Sequence, residues 1–392
     1  MEARRRAGRG VGAVLFAEGF RPFFLAAAVQ ALLALPLWLL IFSGRLDPPP
    51  AVDPAAWHAH EMLFGYLAAV LAGFLLTAVP NWTGRLPISG LPLAGLFSLW
   101  LLGRVVQLPG LLPGPPSAVL DALFLLALAA VIWREILAGR NLRNLPICLL
   151  VTCFAAANIG FHLLAREGDA AGFLRGGIAV AALLIALVGG RVVPSFTRNW
   201  MAKRGEAKLP QPFGAFDKAC LAVTAVALAF WALQPLGGPA ALFMVAAGLL
   251  QLLRLLRWRG WRSLAEPLVL VLHLGYAWLP LGLFLLGLAA LDPEAVPQSS
   301  GLHALTAGAV GLMTLAIMTR ATLGHSGRPL TAGPATQAIY ALVLIGALLR
   351  VAVPWLPFEQ TAVLVISGLL WSGGFLGFVL VYGPMLLRRR GA

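Results

Sequence analysis

The feature that most constrains this chain is a succession of apolar runs, each of about the 20 residues needed to cross a bilayer as a helix. Twelve can be placed, at 22–43, 58–79, 91–108, 117–137, 144–165, 172–193, 216–235, 238–257, 264–290, 300–323, 333–354 and 359–386. Hydrophobic residues fill 60% of the 392 positions and charged residues only 11%, about half the charge of an ordinary soluble domain. That balance excludes soluble, disordered and fibrous classes. The runs are unbroken, whereas a membrane β-barrel alternates apolar and polar residues in strands of ~10. The expectation is an all-α polytopic transmembrane bundle of about 12 helices, a single integral membrane domain over 1–392.

The net charge of +14 does not point to nucleic acid, because the basic residues sit between the apolar runs rather than in one domain. Sorted by alternate connections, 24 Lys and Arg fall on one side and five (Arg45, Arg104, Arg166, Arg175 and Arg350) on the other. Lys and Arg collect on the cytoplasmic side of membrane proteins. This predicts a multi-pass membrane protein with both termini in the cytoplasm. The basic N-terminus 1–21, a loop at 194–215 and a tail at 387–392 would lie on that side. Residues Met1–Arg21 lack a good cleavage site, so the first run reads as a helix rather than a signal peptide. Cys148, Cys153 and Cys220 lie in or beside apolar runs without metal-ligand spacing or a covalent haem motif.

A weak internal repeat is visible. His60 precedes Gly84-Arg85 by the same distance as His303 precedes Gly327-Arg328. Val79-Pro80-Asn81-Trp82-Thr83 also resembles Val193-Pro194-Ser195-Phe196-Thr197. Helices two, six and ten could be equivalents in three four-helix units.

Polar groups inside a bilayer are costly and tend to be functional. All six histidines lie in or at the ends of helices. His58 and His60 open helix two, His162 closes helix five and His303 opens helix ten, all at the outer side. His273 reads as the middle of helix nine and His325 as the inner end of helix ten. Imidazole is the commonest metal ligand and a usual axial ligand of non-covalent haem, so an outer histidine cluster suits haem or copper. His58 and His60 point about 200° apart if both are helical, and then cannot share one metal. Glu61 could orient a histidine or accept a proton. Arg104 and Arg350 break the charge pattern, which fits either snorkelling to lipid headgroups or a local acidic partner such as haem propionates. Arg320 reads as an inner anchor or a partner for an anion. Met62, Met313 and Met318 are soft-ligand candidates. No Asp or Glu is placed at mid-membrane, which counts against a proton-coupled carrier.

Several segments then carry a resemblance: Glu18-Gly19-Phe20-Arg21-Pro22-Phe23-Phe24, Trp57-His58-Ala59-His60-Glu61-Met62-Leu63-Phe64-Gly65, and Gly73 through Gly84. So do Gly189-Gly190-Arg191-Val192-Val193-Pro194-Ser195-Phe196-Thr197, Leu272-His273-Leu274-Gly275-Tyr276, His303 through Ala309 and Arg320 through His325. Together they are similar to the NnrS family of bacterial inner-membrane proteins linked to denitrification and nitric oxide stress. The resemblance implies a haem b and also admits copper. On that footing His58, His60, His162, His273 and His303 are the metal candidates and Glu61 the proton-transfer candidate. Arg104, Arg350, Arg320, His325 and Met62 are cofactor-contact candidates. The expected activity is binding of nitric oxide and its reduction or scavenging by an oxidoreductase. Quinol or an electron-donor protein would supply electrons. The alternatives are a transporter, or a sensor or assembly protein for haem, metal or a denitrification complex.

Overall fold

The structure, a computed structural model, describes residues 11–47, 53–108, 111 and 114–389, without the side chain of Arg166. Arg4, Arg5, Arg6, Arg9 and Arg390, counted above in the charge pattern, lie outside the described residues. After a short helix at Val11–Leu15 the chain forms α1 (Phe20–Phe42), α2 (Pro54–Thr83), α3 (Leu91–Val106), α4 (Pro115–Ala138), α5 (Leu142–Leu164) and α6 (Ala171–Lys203). There follow α7 (Ala215–Leu233), α8 (Gly238–Arg257), α9 (Pro267–Leu291), α10 (Gln298–His325), α11 (Pro334–Trp355) and α12 (Gln360–Leu387). Eleven are long and apolar enough to cross a membrane, and α3 is an apolar helix of 16 residues. The protein is a multi-pass helical membrane protein, and each of the twelve apolar runs lies on one of these helices.

Proline opens many of the helices at the first or second position, where its missing N–H costs nothing: α3, α4, α8, α9 and α11 all begin this way. The largest departure from the sequence reading is in α6. The loop expected at 194–215 is helical as far as Lys203, and the connection shrinks to 204–214. Pro194 does not end the helix. Lacking an N–H, it leaves the Gly190 carbonyl four residues earlier without its helical donor, and the Arg254 guanidinium approaches that oxygen at 3.5 Å.

The described chain divides into two compact units. The first comprises Met1–Gly177, Met318–Pro329 and Phe375–Ala392, and the second Ile178–Ile317 and Leu330–Gly374. In the first, α2 is the central helix, with α1, α3 and α4 packed around it. Arg21 at the start of α1 is buried and donates to the carbonyls of Leu386 (3.0 Å) and Arg388 (2.8 Å), satisfying the C-terminal end of α12. In the second unit, α9 packs against α8 and the first half of α10.

Among the described residues three helices contain π-helical turns, at Glu61–Leu67 in α2, Ile185–Gly189 in α6 and Ala304–Val310 in α10. A π turn disturbs the regular α hydrogen-bond ladder, and inside a bilayer no water is there to repair it. In each case a neighbouring side chain supplies a donor. Trp100 Nε1 donates to the Gly65 carbonyl at 3.0 Å. Arg254 donates to the Ala186 carbonyl at 2.7 Å. Trp371 Nε1 donates to the Ala307 carbonyl at 3.1 Å. A glycine makes room for such close approach at each turn. A Cβ on Gly65 would stand 2.8 Å from Arg104 Nη1, one on Gly311 would stand 2.8 Å from Trp371 Nε1, and one on Gly190 would collide with the Arg254 guanidinium.

The repeat seen in the sequence takes structural form in α2 and α10. Each π turn starts on the residue after the histidine, His60 or His303, and runs seven residues. Gly84 and Gly327, which close the two motifs, both adopt positive φ, at 69° and 72°. The π turn of α6 departs from this register, lying directly before Val193-Pro194 rather than two turns or more away.

Gly190→Ala is expected to destabilise the protein by about 1–3 kcal/mol through overpacking. Gly176→Ala, where a Cβ meets nothing within 4 Å, is expected to be neutral or slightly stabilising. Thermal unfolding of the two variants in the same detergent checks the contrast.

Candidate functional site

One cluster of buried polar residues in the first unit gathers around His60, the last residue before the π turn of α2. His60 is 1% exposed, and Glu61, Arg104, Asp121 and Asn158 are buried with it. Arg104 comes from the last turn of α3 and Asp121 from the second turn of α4. Asn158 and His162 are one helical turn apart on α5 and so share a face. Gln30 reaches in from α1.

His60 is held at both ring nitrogens. Its Nδ1 lies 3.1 Å from Glu61 Oε1, and its Nε2 lies 3.1 Å from Asp121 Oδ2 and 3.0 Å from Asn158 Oδ1. His162 Nε2 reaches the same Asp121 Oδ2 at 2.8 Å, and Asn158 Nδ2 donates to it at 2.9 Å. Arg104 bridges the two carboxylates, donating to Glu61 Oε1 at 2.6 Å and to Asp121 Oδ1. Gln30 Nε2 donates to Glu61 Oε2 at 2.8 Å. The walls are aromatic: Phe64 and Phe161 lie 5.3 and 4.6 Å from the His60 ring, centroid to centroid.

The donor set fits a small metal ion. One ligand atom each from His60, Asp121 and His162 falls within 4.8 Å of the others. With Nδ1–H of His60 donated to Glu61, Nε2 presents a lone pair toward the oxygens of Asp121 and Asn158, so a proton or a cation must lie between them. The charges agree. Two carboxylates face one guanidinium, and a buried excess of negative charge is strongly unfavourable unless compensated. Histidine ligands characteristically donate their other nitrogen to a carboxylate, as His60 does to Glu61.

A haem held between His60 and His162 does not fit. Two imidazoles on opposite faces of one metal, with metal–nitrogen bonds of ~2 Å, place their ring centres roughly 6 Å apart. Here the centroids are 4.9 Å apart and the rings meet edge to face, with both Nε2 atoms aimed at one carboxylate oxygen.

The remaining candidates are placed elsewhere. His58 stacks on Trp38 of α1, its ring centre 5.0 Å away, so the two histidines of Trp57-His58-Ala59-His60 do diverge. His273 is not in the middle of its helix: it is the seventh residue of α9, where its Nε2 meets Thr197 Oγ1 at 2.8 Å. His303 lies in the first turns of α10 with Nδ1 2.7 Å from the Ser299 carbonyl. Within the second unit His273 and His303 therefore sit toward opposite ends of the α9–α10 pair. His325 packs on Phe20 at 5.1 Å. Arg104 has its acidic partners within the protein, Glu61 and Asp121, rather than haem propionates. Arg350 is half-buried near the end of α11, Arg320 half-buried in α10, and Met62 half-buried beside Glu61. Met313 is buried against Gly189 and Gly275, and Met318 is buried in α10.

Sequence reasoning missed Asp121 and Asn158. Both could have been found as lone polar residues inside apolar runs, Leu120-Asp121-Ala122-Leu123 and Ala157-Asn158-Ile159. Asp121 lies six residues inside its span and not at a boundary.

Fold and site together define an integral membrane protein with a histidine–carboxylate centre buried among its helices. Compared with protein families, residues 14–390 match the family model described as NnrS protein. The chain belongs to the NnrS family, and is thereby a nitric-oxide-related membrane protein. A comparison with curated proteins finds no match.

Arg104→Met leaves two buried carboxylates without their counter-charge, and is expected to cost about 3–5 kcal/mol of stability. Arg85→Ala, at an ion pair whose arginine is 43% exposed, is expected to cost under about 1 kcal/mol. Denaturant titration of the purified variants reads both.

Proposed function

We propose that this protein binds nitric oxide at a metal centre held by His60 Nε2, His162 Nε2 and Asp121 Oδ2, and removes it by reduction. The observation that carries the reading is the convergence of two imidazole nitrogens on one carboxylate oxygen in a buried cluster where two carboxylates face one guanidinium. The donor set suits a redox-active ion such as copper, which when bound would supply the position for nitric oxide and a route for electrons. Nitric oxide is small and apolar and partitions into the bilayer, which suits a centre set among spans beside the Phe64 and Phe161 rings.

The chain's own residues do the rest. Glu61 Oε1 holds the Nδ1 proton of His60 and fixes the ring with Nε2 facing the centre. Gln30 and Arg104 hold the Glu61 carboxylate in turn. Arg104 and Asn158 fix Asp121, leaving Oδ2 directed at both histidines. Reduction of two nitric oxide molecules takes two electrons and two protons and yields nitrous oxide and water. Glu61 is the residue placed to pass protons, being the carboxylate in contact with His60 from the side of α1.

Metal analysis of the purified, copper-loaded protein tests the reading, together with nitric oxide uptake at an electrode in the presence of a reductant. About one copper per chain is expected, lost in His162→Ala and in Asp121→Asn, with uptake falling at least tenfold. Retention of copper in both variants would overturn the assignment. Any b-type haem the chain carries is expected to keep its absorption spectrum in His60→Ala and His162→Ala, since in this reading both Nε2 atoms are committed to the metal at Asp121 Oδ2.

A further inference from the structure

Three of the segments that carry the family resemblance play no part in the His60 centre. Glu18-Gly19 at the entry to α1, Leu76 through Gly84 at the end of α2, and His325 at the end of α10 come together instead around a cleft of about 470 Å³. That volume is within the range of small-molecule pockets, roughly 300–1,000 Å³. All its lining belongs to the first unit. Along α2, Asn81 is about 30 Å from His60 at 1.5 Å per residue, so the cleft is separate from the proposed metal centre.

The charged groups of the cleft are already matched. Glu18 is paired with Arg21 at 3.1 Å, and Arg85 with Glu135 at 2.5 Å. An incoming phosphate would therefore meet the Glu18 carboxylate, and the arginine of the lining, Arg85, is already paired. What the cleft offers instead is neutral hydrogen bonding. Asn81 Nδ2 donates to the Thr77 carbonyl at 3.1 Å, leaving its Oδ1 as an acceptor. Thr77 Oγ1 donates to the Gly73 carbonyl at 2.7 Å and keeps its lone pairs. The His325 imidazole is half-buried and backed by the Phe20 ring, tilted by 31°. Leu76, Pro80 and Pro87 supply apolar walls. The cleft lies where three apolar helices begin or end, the level at which amphipathic rings settle in a bilayer.

We infer that this cleft is the binding site for a quinol or quinone headgroup. A quinol offers two hydroxyl donors on a flat apolar ring, matching Asn81 Oδ1 and Thr77 Oγ1. A quinone offers carbonyl acceptors to the His325 N–H. The ring lies between the proline and leucine walls, and the isoprenoid tail stays in the lipid. The inference does not depend on the identity of the metal at the His60 centre.

The test uses the full chain in phosphatidylcholine nanodiscs and decylubiquinone as probe, with binding read by quenching of tryptophan fluorescence, Trp82 being next to Asn81. Saturable binding is expected in the parent protein. It should weaken at least tenfold in His325→Ala and in Asn81→Ala, and be unchanged in His162→Ala. His325→Gln, which keeps a donor, should recover part of the loss and provides a second variant if His325→Ala does not fold. Absence of saturable binding overturns the inference, and so does equal affinity in the parent and all the cleft variants. Displacement of the probe by phosphatidylglycerol in the nanodisc, but not by a second quinone, would assign the cleft to a lipid headgroup and overturn it as well. Copper content measured on the same samples separates this result from that for the metal centre: loss of quinone binding with copper retained concerns the cleft alone.

Discussion

A helix inside a bilayer has to satisfy its own backbone, and the π turns of α2, α6 and α10 break that rule locally. Each turn disturbs a ladder that water cannot repair, and each receives a donor from outside, an indole or a guanidinium: Trp100 at Gly65, Arg254 at Ala186, Trp371 at Ala307. The repair requires helices to approach closely, which explains why a glycine stands at or beside each turn. It also explains why a buried arginine can be stable here. Arg254 is fully buried, yet its donors go to the Asp217 carboxylate, the Tyr276 hydroxyl and two backbone carbonyls, and Tyr276 is anchored in turn by Gln251. Its charge is neutralised and its directional demands are met, the conditions under which a buried ion is tolerated.

The same device sets up the polar centre. His60 is the last α-helical residue before the π turn of α2, and Arg104 crosses that turn against Gly65 to reach Glu61 and Asp121. A continuous α-helix would carry His60 and Glu61 on the same ladder as the rest of α2. The π turn gives α3 a gap to enter. The arginine then fixes two carboxylates, and these fix two histidines. Stability and the proposed chemistry are thus coupled: the arginine that holds Asp121 is also one whose removal leaves uncompensated buried charge.

The likeness between α2 and α10 shows how one helix type can serve two ends. The histidine, the seven-residue π turn and the left-handed closing glycine recur in the same register. The partners differ. His60 meets carboxylates from other helices, whereas His303 is turned to the backbone of its own helix at Ser299. A repeated backbone does not imply a repeated site, because the site is made by whatever α3, α4 and α5 bring to it.

The sequence by itself determined the number and positions of the helices, their membrane character and the family. Length and hydropathy of each run suffice for that, because a bilayer leaves a chain little choice but to close its hydrogen bonds within the run. It also pointed to His60, His162 and Glu61, since a polar group in an apolar run is conspicuous. Only the tertiary structure decided which of them meet. Hydropathy carries no information on helix rotation or on depth within a span, so His273 read as central when it lies in the second turn of α9, and the acidic partner of Arg104 could be expected but not named. The π turns were invisible for the same reason. Their sequences, Glu61–Leu67 and Ala304–Val310, are as apolar as the α-helices around them, and what stabilises them is a donor from a helix elsewhere in the chain.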